Sequence, residues 1–299
     1  MTFTVRAATR GSDLALWQAR RVASLLEPLG VDVEPVVVST HGDRRLDLPL
    51  SEIGGKGVFC SEVQSAVLDG RADIAVHSAK DLPSVTPDGL VLAAFPERGD
   101  PGDILVGARL DDLDDGATIA TGAARRQSQL AWWRPDLRFE GLRGNIATRL
   151  ECASRHPVVV AAAAIERLEI ELSVPHERLD PVRLMIPQVG QGALAVECRA
   201  TDDRTLELLA QLRIELVERT SAAERGFLAE LGAGCDLPVA AHATSSGTDV
   251  HLHAMIASLD GSWREELERT GADPGQLGRS VATELLARLS TEQKATLAG

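Results

Sequence analysis

Ile74-Ala75-Val76-His77-Ser78-Ala79-Lys80-Asp81-Leu82-Pro83 decides how the rest of the chain is read. It opens as an apolar run suited to a buried parallel strand and closes on polar groups, and Pro83 stops further regular structure. In an open α/β sheet ligands bind at the carboxyl ends of strands. Ser78, Lys80 and Asp81 thus deliver a hydroxyl, an ammonium and a carboxylate to a candidate reaction centre.

Upstream, residues 3–8 alternate as a strand, and Thr9-Arg10-Gly11-Ser12-Asp13 leads into Leu14, Trp17, Val22, Leu25 and Leu26 at helical spacing. Ser12 or Asp13 is a good N-cap. This strand, glycine loop and helix aim backbone N–H groups and Arg10 at an anion. Gly30 ends the helix and residues 31–38 supply the next strand. Ile53-Gly54-Gly55-Lys56-Gly57-Val58-Phe59 precedes a helix over about 61–68, but it lacks the P-loop spacing, so nucleotide binding is set aside. Strands alternating with helices predict α/β architecture with mixed, mostly parallel sheets.

Residues 96–102, rich in Pro, Gly and charge, read as a hinge into a second unit where the pattern repeats. Strands are expected near 118–120, 137–139 and 158–162, with helices over 123–133, 146–153 and 163–168. Arg125 and Arg126 fall in a helix's first turn, where the dipole disfavours cations, so an anion should sit among them. Residues 186–198 combine a glycine-rich turn, including Gln191, with a buried strand, and the chain is expected to cross back here and extend the first sheet. After a charged segment at 201–215, a helix over 221–231 ends in Gly232-Ala233-Gly234-Cys235-Asp236-Leu237-Pro238. Strands over 239–243 and 250–257 and a helix over 276–289 complete a small C-terminal α+β domain. The predicted division is 1–96 with 188–210, then 100–187, then 216–299.

The chain has 299 residues with a net charge of −13, which excludes a general nucleic-acid binder, since phosphate binding needs a basic footprint. The basic residues are nonetheless concentrated. Residues 121–150 hold six arginines (125, 126, 134, 138, 143 and 149) against Asp136 and Glu140, an island able to focus anions. Only three residues are lysine, at 56, 80 and 294. The longest apolar run, 158–165, is far too short to span a membrane, and the start, Met-Thr-Phe-Thr-Val-Arg, has no basic–apolar leader pattern. A cytoplasmic protein is expected. Cysteines 60, 152, 198 and 235 form no Cys-x-x-Cys pair, so neither a disulfide framework nor a metal site is expected. The first three read as packing residues; Cys235, on a glycine-flanked loop, reads as a covalent attachment point.

Six motifs in order carry a resemblance over essentially the whole chain: Ala-Thr-Arg-x-Ser-x-Leu-Ala at 8–15, Gly-Gly-Lys-Gly at 54–57, Ala-Val-His-Ser-x-Lys-Asp-Leu-Pro at 75–83, Leu-Arg-Gly-Asn at 142–145, Val-Gly-Gln-Gly-Ala at 189–193 and Gly-Cys at 234–235. The chain resembles the hydroxymethylbilane synthase (porphobilinogen deaminase) family. That resemblance implies two lobes like those of a periplasmic binding protein, plus the C-terminal domain. It implies a transferase of tetrapyrrole biosynthesis that joins four porphobilinogen units, releases ammonia and yields linear hydroxymethylbilane. It also implies a monomer. The primer would be a dipyrromethane held by a thioether to Cys235, and Asp81 would be the catalytic residue. Ser78, Lys80, Thr121, Arg125, Arg126, Gly144 and Asn145 would bind that cofactor, and Arg10, Ser12, Lys56, Phe59, Arg143, Arg149 and Gln191 the substrate. The alternative is a two-lobed module that binds anionic ligands without catalysis. One departure stands out. The family's hydroxyl-rich run before the paired arginines is here Thr121-Gly122-Ala123-Ala124, which predicts weaker cofactor retention, not lost activity.

Overall fold

The structure is a computed structural model that describes residues 3–40, 60–232 and 237–298. Strand β1 (Phe3–Arg10) runs into helix α1 (Asp13–Leu26), and Ser12 caps that helix by accepting from the Ala15 amide at 3.3 Å. Strand β2 (Val31–Val38), helix α2 (Ser61–Leu68) and strand β3 (Ile74–Ser78) follow, then β4 (Leu90–Ala94). The second unit holds β5 (Asp103–Val106), β6 (Thr118–Ala120), α3 (Ala124–Trp133), β7 (Arg138–Glu140), α4 (Ile146–Cys152), β8 (Val158–Ala161), α5 (Ala162–Arg167) and β9 (His176–Leu179). Strand β10 (Leu194–Arg199) and helix α6 (Asp203–Ala210) lead to α7 (Glu215–Glu230). The last unit is β11 (Val239–Ser246), β12 (Asp249–Ala257), β13 (Arg264–Gly271), α8 (Pro274–Arg288) and α9 (Thr291–Ala298).

Three sheets result, ordered β2-β1-β3-β10-β4, β7-β6-β8-β5-β9 and β11-β12-β13. As expected from the sequence, β10 returns to the first sheet, between β3 and β4. The two large sheets share one design. In each, four of five strands run the same way and one reversed strand, β10 or β5, sits between the third and the last, so both sheets are mixed and mostly parallel, as expected. Strands β4, β5 and β9 were not foreseen, being short and carrying too little alternation to register in the sequence. Also unforeseen were α6 inside the charged segment, the polar strand β13 and helix α9. In β13 only Leu267 is buried, so its pairing with β12, not hydrophobicity, makes it a strand.

The two crossovers between the large sheets lie side by side: the Gly99 amide donates to Gly192 O, and the Leu194 amide to Glu97 O, both at 2.9 Å. Gly192, at φ +83°, has no room for a side chain, since a Cβ would lie 2.5 Å from Gly99 O. Glu224 on α7, wholly buried, ties these crossovers to the third sheet. It accepts from Arg98 at 2.8 Å, from the Gly190 amide at 2.7 Å and from the Ala243 amide at 2.8 Å. Burial pushes its carboxyl up, but Arg98 and His242 overcome that and hold it at about 2. Helices α7 and α8 cross at Gly226 and Gly278 over a core that includes Phe227, Leu252, Ile256, Val281 and Leu285.

Candidate active site

Strand β3 is buried through His77 because both faces of the first sheet are covered. Its exit is a single 3-10 turn, Ala79–Asp81, pinned on three sides. The Ala79 amide donates to Ala193 O at 2.9 Å, Gln18 Nε2 to Ser78 Oγ at 2.6 Å, and the Cys60 thiol to Asp81 O at 3.0 Å. Gly190, at φ +72°, lets the 188–193 loop lie flat on this turn; a Cβ there would come within 2.9 Å of the Ala79 carbonyl carbon. Asp81 is thereby fixed where the carboxyl ends of β1 and β3 converge. A cavity of about 50 Å³ opens there, with Arg10, Ser12, Gln18, Ser78 and Asp81 in its lining. That volume admits a water or two, or the tip of a charged group.

Arg149 on α4 reaches the same region. Its pKa is lowered, first by burial; the Asp81 carboxylate opposes that while Arg143 and Arg10 add to it. One carboxylate therefore shares its surroundings with three guanidinium groups, an excess of positive charge that suits a polyanionic ligand. The turn before α4 sets this up. Gly144 takes φ +100°, and Asn145 caps α4 by accepting from the Thr148 amide and hydroxyl at 3.0 Å each. Arg149 Nε donates to Gly144 O at 2.9 Å. Gly144 and Asn145 thus shape the turn that orients Arg143 and Arg149.

Arg125 and Arg126 form a second, buried cluster. The anion they require is the chain's own Asp103, at the start of β5 and fully buried. Arg125 Nη1 and Nη2 donate to its two oxygens at 2.7 and 3.1 Å, and Arg126 Nη2 and Nε donate to Oδ1 at 2.7 and 3.1 Å. Burial pushes the Asp103 carboxyl up, but Arg125 and Arg126 outweigh it and hold it well below the usual carboxylate range. Burial, opposed by Asp103, brings Arg126 down to about 10. Gln191, also wholly buried, links this cluster to the first sheet. Its Nε2 donates to Pro101 O and to Asp103 Oδ1, while its Oε1 accepts from Arg125 Nη2 at 3.0 Å and Lys80 Nζ at 3.2 Å. Burial first, and then Arg126, lowers the Lys80 ammonium to about 8. The Gln191 amide is committed to this internal network.

Thr121 Oγ1 accepts from the Ala123 amide at 3.3 Å, and the N-terminus of α3 has no side-chain cap. Its leading N–H groups are backbone donors of the kind that bind carboxylates. Gly122 packs on the Leu142 carbonyl so closely that a Cβ could not be placed without moving the backbone. Serine can therefore be restored at 123 but not, undisturbed, at 122. Cys60 and Cys198 are buried as expected, with burial pushing the Cys198 thiol up to about 11; Cys152 is half-buried. Lys56, Phe59 and Cys235 lie outside the described residues.

Sequence reasoning missed Asp103, Gln18 and Cys60 as neighbours of the site. Asp103 closes Gly99-Asp100-Pro101-Gly102-Asp103, which reads as a hinge; the unpaired basic charge of Arg125 and Arg126 was the one signal that a buried acid must exist somewhere.

A two-sheet cleft holding a carboxylate among arginines defines a protein that handles anionic ligands. Residues 5–207 match the family described as "Porphobilinogen deaminase, dipyromethane cofactor binding domain" and residues 219–287 match "Porphobilinogen deaminase, C-terminal domain". The chain is 44% identical over 292 residues to the porphobilinogen deaminase of Syntrophomonas wolfei, covering 94% of this chain and 95% of that one. It is 45% identical over 294 residues to the one from Syntrophotalea carbinolica, covering 95% and 93%. The chain belongs to the porphobilinogen deaminase (hydroxymethylbilane synthase) family. It is accordingly a transferase of tetrapyrrole biosynthesis with a dipyrromethane cofactor domain, which sets aside the binding module without catalysis. Among solved structures, the methionine binding protein MetQ overlays with a TM-score of 0.42 at 12% identity, covering 77% of this chain and 94% of that one.

Proposed function

We propose that the chain joins four porphobilinogen units head to tail, releases ammonia at each step and, with one water taken up as the bond from primer to tetrapyrrole is cleaved, yields linear hydroxymethylbilane, with Asp81 as the catalytic residue. The observation that carries this reading is the Asp81 carboxylate, fixed at a strand terminus in the field of Arg10, Arg143 and Arg149. Loss of ammonia from porphobilinogen leaves a cationic pyrrole, and a fixed carboxylate stabilises that developing charge. The same group accepts the proton that the attacking pyrrole carbon must shed. Arg10, Ser12, Arg143 and Arg149 bind the acetate and propionate carboxylates that each unit brings. Lys56 and Phe59 would join them as substrate-binding residues.

The basic cluster and the uncapped N-terminus of α3 fit an anionic cofactor. Cys235 would hold the dipyrromethane as a thioether, with Ser78, Lys80, Thr121 and the α3 amides around its carboxylates. When bound, that group supplies a tethered primer, so each condensation becomes intramolecular. Arg125 and Arg126, braced on Asp103, keep the α3 N-terminus in place, and Gln191 fixes Lys80. In this reading residues 1–96 and 188–210, residues 100–187 and residues 216–299 form the three domains of a cytoplasmic monomer, a state that light scattering checks.

Peptide mapping after an intact-mass measurement tests the proposal. Two linked pyrrole units are expected on the Cys235 peptide, and Asp81→Asn should keep the wild-type urea midpoint while losing bilane formation. An unmodified protein that porphobilinogen cannot prime, or an active Asp81→Asn, would overturn it.

A further inference from the structure

We propose that His253, Glu266 and Glu268, on the third sheet, form a binding site for one divalent transition-metal ion of the zinc class. Strand β12 sends Val250, Leu252, Ala254 and Ile256 into the core beneath α7 and α8, so His251 and His253 emerge on the other face. Strand β13 buries only Leu267 on the core side, leaving Glu266 and Glu268 on that same outer face. The antiparallel register sets His253 directly opposite Glu268 and Glu266 diagonally beside it. Sequence spacing alone could not bring these residues together; strand pairing does.

One imidazole nitrogen faces two carboxylates. His253 Nε2 is hydrogen-bonded to Glu266 Oε1 and lies 3.7 Å from Glu268 Oε1, and one ligand atom from each of the three residues falls within 4.8 Å of the others. An Nε2–H can satisfy only one of the two oxygens. A divalent cation replacing that proton would bind all three. A tetrahedral zinc site with bonds of about 2.1 Å sets its donors about 3.4 Å apart, so the two glutamates need only a short inward movement.

The surroundings fit this use. Arg264 Nη2 holds Glu266 Oε2 at 2.5 Å, and His251 Nε2 lies 3.3 Å from Glu268 Oε2, so each carboxylate keeps Oε1 for the ion and has its other oxygen oriented. His253 is buried, which fixes the ring, whereas Glu266 and Glu268 have side chains 38% and 53% exposed, which leaves an entry path. Arg264 and Glu266 also line a cleft of about 450 Å³ against Trp132 and Trp133, open to solvent beside the site. Two carboxylates against one guanidinium leave the cluster net negative when the histidines are neutral. The site has no part in pyrrole condensation; an ion there would clamp β12 to β13 and stabilise the C-terminal unit.

Chelator-treated full-length protein titrated with Zn²⁺ by calorimetry tests this, with Co²⁺ as a spectroscopic probe. The expected result is one ion per chain, a raised unfolding temperature, and visible Co²⁺ absorption without a thiolate charge-transfer band. His253→Ala and Glu268→Gln should each weaken binding by about tenfold or more while bilane formation persists. Glu268 is exposed, so its variant is expected to fold normally. Absence of binding, a thiolate band, or unchanged affinity in Glu268→Gln would overturn the assignment.

Discussion

Replacing Asp103 with Asn should cost about 3 to 5 kcal/mol of unfolding free energy, the range for breaking a buried ion pair from one side. Asp103 accepts five hydrogen bonds: two from Arg125, two from Arg126 and one from Gln191. An amide preserves the shape but strands two guanidinium groups whose side chains are only 2% and 5% exposed. No water replaces the lost charge, so most of the desolvation penalty falls on the folded state. The pH dependence carries the sign. The folded pKa of Asp103 is depressed, so its contribution is fully present above the ordinary aspartate value of 3.8 and disappears as pH falls toward the folded value. Urea denaturation at neutral pH, and again as pH is lowered below about 4, is the assay. The wild type should lose stability relative to Asp103→Asn over the acid range, narrowing the gap. An Asn variant within about 1 kcal/mol of wild type at pH 7, below the range above, would refute the view that Asp103 neutralises the paired arginines.

Lys80 offers a direct titration, because the chain has only three lysines. NMR of labelled lysine should show one ammonium titrating near pH 8, absent in Lys80→Arg; its depressed pKa means that stability gains from this group as pH rises from about 8 to the ordinary 10.5. Ala123→Ser should fold normally and raise cofactor occupancy by mass spectrometry, whereas Gly122→Ser should lose about 1 to 3 kcal/mol, the usual cost of overpacking, because its Cβ meets the Leu142 carbonyl. Equal stability of the two variants in urea would contradict that contact. Gly278→Ala should lower the unfolding temperature, since a Cβ there would press on Ala223 O of the facing helix and force α7 and α8 apart.

Much of the site was legible one residue at a time. Periodicity and the proline after Asp81 place Ser78, Lys80 and Asp81 at a strand exit, because an apolar run followed by polar groups marks where a buried strand leaves the sheet. The glycine-bounded helices were readable for the same local reason. The return of β10 followed from an apolar stretch that needed a sheet to bury it. Short strands such as β5 and β9 were not legible, since four residues carry no reliable period and owe their conformation to partners distant in sequence.

Local sequence thus determined the longer elements, the polar residues at their ends and the excess of arginine between 121 and 150. Tertiary structure alone decided what those charges meet. That Arg125 and Arg126 need an anion follows from the helix dipole. That the anion is Asp103, some twenty residues earlier on an antiparallel strand, follows only from the order β6-β8-β5. The same holds for Gln191, which reads as a loop residue and proves a buried link between Lys80 and Arg125. It holds too for His253 between two glutamates, a meeting set by strand register. Helix and turn signals act within a few residues, whereas buried charge is neutralised by whichever group the folded sheets bring near.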